Sequence, residues 1–156
     1  METTTLAWAA GLFEGEGCIR INKATKRNLG HLVVSVTNTD FQVIDFFQAR
    51  WPGYMKSAAG LRPDQRPAWV WVYAARKAAA FLAAIRPFIV RDIVKERIDC
   101  ALRFQAGKSK PGATRVTDEY RAEQFAAYLW MKELNVRGVT ARPYPHCPQA
   151  GDWRRQ

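Results

Sequence analysis

Residues 9–17 read Ala9-Ala10-Gly11-Leu12-Phe13-Glu14-Gly15-Glu16-Gly17. An apolar, small-residue helix runs directly into two carboxylates separated by one glycine. Glycine inside a helix costs roughly 1 kcal/mol relative to alanine, so Gly11 suggests that something packs close to the backbone there. Gly15 and Gly17 suit a helix end and a sharp turn. Glu14 and Glu16 then lie at the negative end of the helix dipole, where acidic side chains are disfavoured. A counter-cation removes that conflict, and a divalent metal is the obvious candidate.

Upstream, Thr3 to Thr5 offer N-caps, and Leu6, Ala9, Ala10 and Phe13 follow the spacing of an apolar helical stripe. Downstream the period changes to two. Ile19 and Ile21 alternate with Cys18, Arg20 and Asn22; after a polar turn around Lys26-Arg27-Asn28, Leu32, Val34 and Val36 alternate with His31, Val33, Ser35 and Thr37. This is a hairpin with one apolar and one mixed polar face. Asp40 can cap a second helix carrying Phe41, Ile44, Phe47 and Trp51, which Pro52-Gly53 ends. A second strand pair is expected at 54–60 and 68–74, joined by a charged loop containing Arg62 and Arg66. Trp69, Trp71 and Tyr73 share one face of the latter strand. Both the core side and the ligand side are open to that face, and the core is favoured because large aromatics supply much of a core's buried area.

Helices are expected at 76–86, ended near Pro87, at 91–106 and at 118–134. Residues 108–136 read as a linker and C-terminal helix, and 137–156 as an irregular tail. The order is therefore α-β-β-α-β-β-α followed by C-terminal helices. It implies an α+β fold with a four-stranded antiparallel sheet, helices on its apolar face and an open opposite face.

The chain has 156 residues, enough for one domain, and a formal charge of +10 from 24 Lys and Arg against 14 Asp and Glu. That balance points to a polyanionic partner. Between residues 17 and 77 there are ten basic residues and three Asp, so the positive charge gathers on the strands, as on a phosphate-tracking surface. The outward strand positions available for base reading are Arg20, Asn22, His31, Ser35, Tyr54 and Lys56, with Arg62 and Arg66 in the loop. Arg to guanine and Asn to adenine are the productive pairings. Cys18, Cys100 and Cys147 form no close pair, which fits a reducing, cytoplasmic setting. No apolar run approaches the ~20 residues of a membrane span. His146-Cys147 lacks the second ligand pair that a zinc site needs.

The stretch 9–17 resembles the signature of the LAGLIDADG homing endonucleases. It keeps the Ala-Gly pair, both acidic positions and the final glycine, but has Ala for the initial Leu and Glu for both Asp. The element order resembles that family too, over residues 1–107. The resemblance implies a site-specific double-stranded DNA endonuclease, intron-encoded in type, whose sheets form a DNA-binding saddle over a long pseudo-palindromic site. With a single copy of the motif, it implies a homodimer in which the motif helices pack together through Ala7, Ala10, Gly11 and Glu14. Glu16 would be the metal ligand, assisted by the carbonyl of Gly15, with Mg2+ or another divalent cation such as Mn2+. Asn38 and Gln42 align with positions that order active-site water. For the basic group facing the phosphate the candidates are Arg91 and Lys95, Lys95 being preferred as a compact charge that can polarise water, while the ungapped register places Asp92 there. A non-cleaving nucleic-acid binder on the same scaffold, a transcription regulator or an intron RNA maturase, is the alternative.

Overall fold

The computed structural model describes residues 2–22, 30–57, 67–108 and 117–136. The elements run α1 (Thr3–Glu16), β1 (Gly17–Ile21), β2 (Leu32–Asn38), α2 (Phe41–Arg50), β3 (Tyr54–Ser57), β4 (Trp69–Ala74), α3 (Ala75–Ile85), a 3-10 turn (Arg86–Phe88), α4 (Asp92–Ala106) and α5 (Asp118–Leu134). The four strands form one antiparallel sheet in the order β1-β2-β4-β3. The expected α+β architecture is therefore present. Arg62 and Arg66, the turn at 26–28 and the tail at 137–156 lie outside the described residues.

The alternation of the strands decides the layers. Ile19 and Ile21 of β1 and Leu32, Val34 and Val36 of β2 are buried, and all five belong to the hydrophobic core. Val34 pairs with Tyr73, Val36 with Trp71 and Asn38 with Trp69. The aromatic face of β4 is thus the core face. Trp71 is fully buried, donates from Nε1 to the carbonyl of Trp51 at 2.9 Å, and lies 5.1 Å from Phe47 and 5.3 Å from Phe81 between ring centroids. Such a cluster supplies much of the apolar burial that holds helices to one side of a sheet. Trp130, Met131 and Leu134 of α5 join the same core, so the hydrophobic core continues past residue 107 into the C-terminal helix.

Several local expectations change in detail. Helix α1 is N-capped by Glu2 without a side-chain bond, and the three threonines lie in its first turn. Asp40 does cap α2, its Oδ1 accepting from the Gln42 amide at 2.9 Å. Ile44, Phe47 and Trp51 are buried, whereas Phe41 is exposed and packs edge-on against Trp69. Gly17 makes no left-handed turn; its φ of −79° and ψ of 148° start β1 directly. It is required for space instead, because a Cβ there would stand 2.3 Å from the Phe13 carbonyl oxygen and 2.5 Å from the Phe13 ring. The helix therefore passes into the strand with no intervening loop.

Candidate active site and nucleic-acid face

The end of α1 is held from two directions. Inside, Phe13 is buried beneath Gly17, and the Gly17 amide donates to the Phe13 carbonyl. Outside, Glu14 reaches the segment before α4: its Oε1 accepts from the amides of Val90 at 3.2 Å and Arg91 at 2.7 Å. Arg91 answers from Nη1 to the carbonyl of Glu14 at 3.4 Å. A carboxylate placed at the amides that open a helix, and a guanidinium placed at carbonyls that close one, both complement the helix dipoles. The conflict expected for Glu14 is thus relieved within the chain. The 3-10 turn that leads to Val90 and Arg91 is itself clamped to α4, where Arg86 holds Asp99 through bonds of 2.6 and 2.7 Å. Those bonds, with the charge of Asp99, raise the Arg86 pKa above its ordinary value.

Glu16 differs from Glu14. It is exposed at the last position of α1, beside exposed Gly15, and among the described residues no side chain pairs with it. Carbonyls in the final turn of a helix have no intrahelical partner, so the Gly15 carbonyl and the Glu16 carboxylate present hard oxygen donors together. Such donors fit Mg2+ or Ca2+ chemistry. They do not make a closed cage: among the described residues, no group of three or more His, Cys, Asp or Glu could hold a metal ion.

Register brings the other expected residues to this end of the sheet in part. Gly17 pairs with Val36, so Glu16 leaves the sheet where β2 runs into Thr37 and Asn38. Asn38 is half-buried, and its Oδ1 accepts from the Asp40 amide at 2.8 Å. Gln42 follows in the exposed first turn of α2. Asn38 and Gln42 therefore flank one β2–α2 turn, with the Asn38 carbonyl already committed to it. Lys95 stands one turn inside α4, its Nζ 3.3 Å from Asp92 Oδ1. Arg91, not Lys95, is the basic residue bonded to the end of α1.

Six of the outward strand positions lie on the face opposite the core. Arg20 pairs with Val33 and Cys18 with Ser35, all pointing away from the helices. Asn22 and His31 close that hairpin, with Asn22 Nδ2 and His31 Nε2 at 2.9 Å and the Asn22 amide donating to the His31 carbonyl at 3.0 Å. Tyr54 and Lys56 are exposed on the far edge strand. Ser35 also faces outward, between Cys18 and Val72, but is only 6% exposed, and Val33 on the same face of β2 is buried with it.

The small residues of α1 divide. Ala7, Gly11 and Gly15 are exposed on one stripe, and a Cβ added to either glycine would meet nothing within 4 Å. Ala10 has no exposed surface at all and packs into the chain's own core with Ala9 and Phe13, so it has nothing to offer a partner. Exposed Trp8 continues the open face onto α2, packing at a tilt against Phe46 at 4.2 Å between centroids. Sequence reasoning missed Trp8 and the amides of Val90 and Arg91. The latter had one signal, the helix start after Pro87, which makes an anion seat.

No protein-family model matches the sequence, and no curated protein sequence matches it. Among solved structures the chain is similar to the homing endonuclease I-CvuI in complex with its target, at 15% identity and a TM-score of 0.65, covering 89% of this chain and 86% of that one. It is similar to the archaeal intron-encoded homing endonuclease I-Vdi141I complexed with DNA, at 17% identity and a TM-score of 0.65, covering 93% and 91%. The LAGLIDADG homing endonuclease I-GzeII, in complex with a DNA target, matches at 8% identity and a TM-score of 0.61, covering 86% of this chain but 46% of that chain. None of the described helices is long and apolar enough to cross a membrane. The chain has the fold of the LAGLIDADG homing endonucleases.

Proposed function

We propose that this chain is a site-specific double-stranded DNA endonuclease that acts as a homodimer with a divalent cation. The observation that carries the reading is the division of labour at the end of α1. Glu14 is consumed by backbone amides, while Glu16 is exposed beside an open sheet face bearing Arg20, Asn22 and His31. A structural carboxylate would be partnered as Glu14 is. The exposed Ala7, Gly11 and Gly15 stripe supports close packing of two α1 helices, which would bring two Glu16 carboxylates together. The span of I-GzeII, about twice that of this chain by coverage, supports the same pairing of two units.

Glu16 and the Gly15 carbonyl would hold the cation, completed by the second copy and by phosphate oxygens. A cation so bound supplies charge relief on the scissile phosphate and a water of lowered pKa. I-CvuI was solved on DNA with Ca and with Mg, which accords with such a donor set. The remaining work belongs to side chains. Glu14 and Arg91 hold α1 against the start of α4 and so aim Glu16. Gln42 and the Asn38 amide orient water at the β2–α2 turn. Arg91 and Lys95 supply positive charge toward the phosphate. One carboxylate per copy lets each strand be cut.

Glu16→Gln tests this. A randomised duplex library incubated with Mg2+ should be cut by the wild-type protein and not by the variant. The expected loss is at least about a hundredfold, the scale of removing one preorganised charge, with duplex binding retained. Undiminished cutting by the variant would refute the metal role. Tight binding by the wild type with no cutting would favour the non-cleaving binder.

A further inference from the structure

The two C-terminal helices reach the sheet at one place, the β1–β2 hairpin. Strand β1 is an edge strand, and an edge exposes unpaired carbonyls and amides. Asn135, which ends α5, donates from Nδ2 to the carbonyl of Ile19 at 2.8 Å. Its own position is set by Arg97 of α4, which donates from Nε and Nη2 to the carbonyl of Leu134 at 2.9 and 2.5 Å. Lys108, just beyond α4, donates from Nζ to the carbonyl of Gly30. That ammonium lies 4.9 Å from the Phe104 ring centroid, and burial lowers its pKa below the ordinary lysine value. Gly30 has a φ of 74°, a left-handed conformation that glycine accepts without strain. On the opposite face of the same hairpin, Asn22 and His31 bond to each other. The edge carbonyl of β1 and the carbonyl of Gly30, two residues before β2, are thus each bonded to the C-terminal helical region.

We infer that Lys108 and Asn135 are positioning residues for nucleic-acid reading: they hold the β1–β2 hairpin at its free edge and at Gly30 ahead of β2, so that Arg20, Asn22 and His31 meet base edges in one fixed arrangement. The inference rests on the DNA-binding reading above, but the brace itself is a property of the free protein. An ammonium placed here for phosphate would point outward to water; this one is turned inward onto a backbone carbonyl. Strand β1 is paired on one side only, and base discrimination depends on geometry held closely before contact. Helices α4 and α5 therefore act on sequence preference without touching the duplex.

Two measurements on Lys108→Met and Asn135→Ala, with Lys108→Arg as the restoring variant, decide the matter. The first is amide hydrogen exchange without DNA. Removing a charged hydrogen bond should raise exchange at the Asn22 amide, which donates to His31, by about tenfold, with the β3–β4 amides unchanged and Lys108→Arg close to wild type. The second uses the duplex that wild-type protein recovers from a randomised library, with a panel of single mismatches. Discrimination should fall by about tenfold at base pairs under the β1–β2 hairpin and hold elsewhere, the scale of one mismatched pair. The salt dependence of binding should not change, because no phosphate contact is removed. Unchanged exchange at the hairpin would overturn the inference. So would a uniform loss of discrimination, or a salt slope lowered by about one contact, which would make Lys108 a phosphate ligand. If wild-type protein recovers no duplex, the endonuclease reading fails and the exchange measurement alone decides the brace.

Discussion

Replacing Gly11 with alanine should shift two equilibria in opposite directions. Gly11 lies inside α1, is exposed, and a Cβ there meets nothing within 4 Å in the single chain. Folding of the isolated chain therefore gains only the difference in helix propensity, about 1 kcal/mol. With a urea slope of about 2 kcal/mol/M, the unfolding midpoint should rise by about 0.5 M. In the proposed homodimer the same methyl would enter a close helix–helix contact. Overpacking of that kind costs about 1–3 kcal/mol, so self-association should weaken by about fivefold to a hundredfold. Urea melts followed by circular dichroism at high dilution measure the first effect, and sedimentation at rising concentration measures the second. A lowered midpoint at high dilution would mean that Gly11 is packed inside its own chain. An unchanged association constant would mean that this face is not the dimer contact.

Gly17→Ala should destabilise by about 2–3 kcal/mol, because the new Cβ meets the Phe13 backbone and ring at 2.3 and 2.5 Å and neither can retreat cheaply; calorimetry should show a melting point lower by about 5–10 °C. Glu14→Ala should cost about 2 kcal/mol in urea unfolding, by loss of two amide bonds to one carboxylate oxygen, and Glu14→Gln, which keeps an acceptor oxygen, about half of that. Ala75 has a φ of 53° at the β4–α3 junction, so Ala75→Gly should leave stability within about 0.5 kcal/mol or raise it. The same change at exposed Ala80 in the middle of α3 should cost about 1 kcal/mol, and the two thermal melts compared side by side check the contrast.

What was legible in the sequence was whatever depended on local period. The alternation around Ile19 and Leu32 set the hairpin and its faces, and Asp40 announced α2 through its own cap. Helix α5 was readable to the residue, with Thr117 accepting from the Tyr120 amide at its start. Trp69, Trp71 and Tyr73 stayed ambiguous because Val70 and Val72 make the other face of β4 apolar as well, and only the pairing with Val34 and Val36 assigns sides. Ala10, expected at a partner helix, is buried in the chain's own core, because a small residue suits both settings equally. The contact of Glu14 with Arg91 spans 77 positions, and no local pattern reports a bond of that reach. Lys95 was preferred over Arg91 on charge chemistry, whereas the turn fixed by Arg86 and Asp99 is what delivers Arg91 to α1.

The direct passage of α1 into β1 has a practical consequence for anyone retargeting such a protein. Glu16 and Arg20 sit on one continuous stretch of regular backbone, without a joint that could absorb movement between them. Under the proposed endonuclease reading, substitutions that retune base preference on β1 should alter turnover too, since any tilt of the strand swings Glu16 at its root. Under the same reading, library design that varies Tyr54 and Lys56, on the opposite margin of the sheet, should change recognition with the cutting rate left alone.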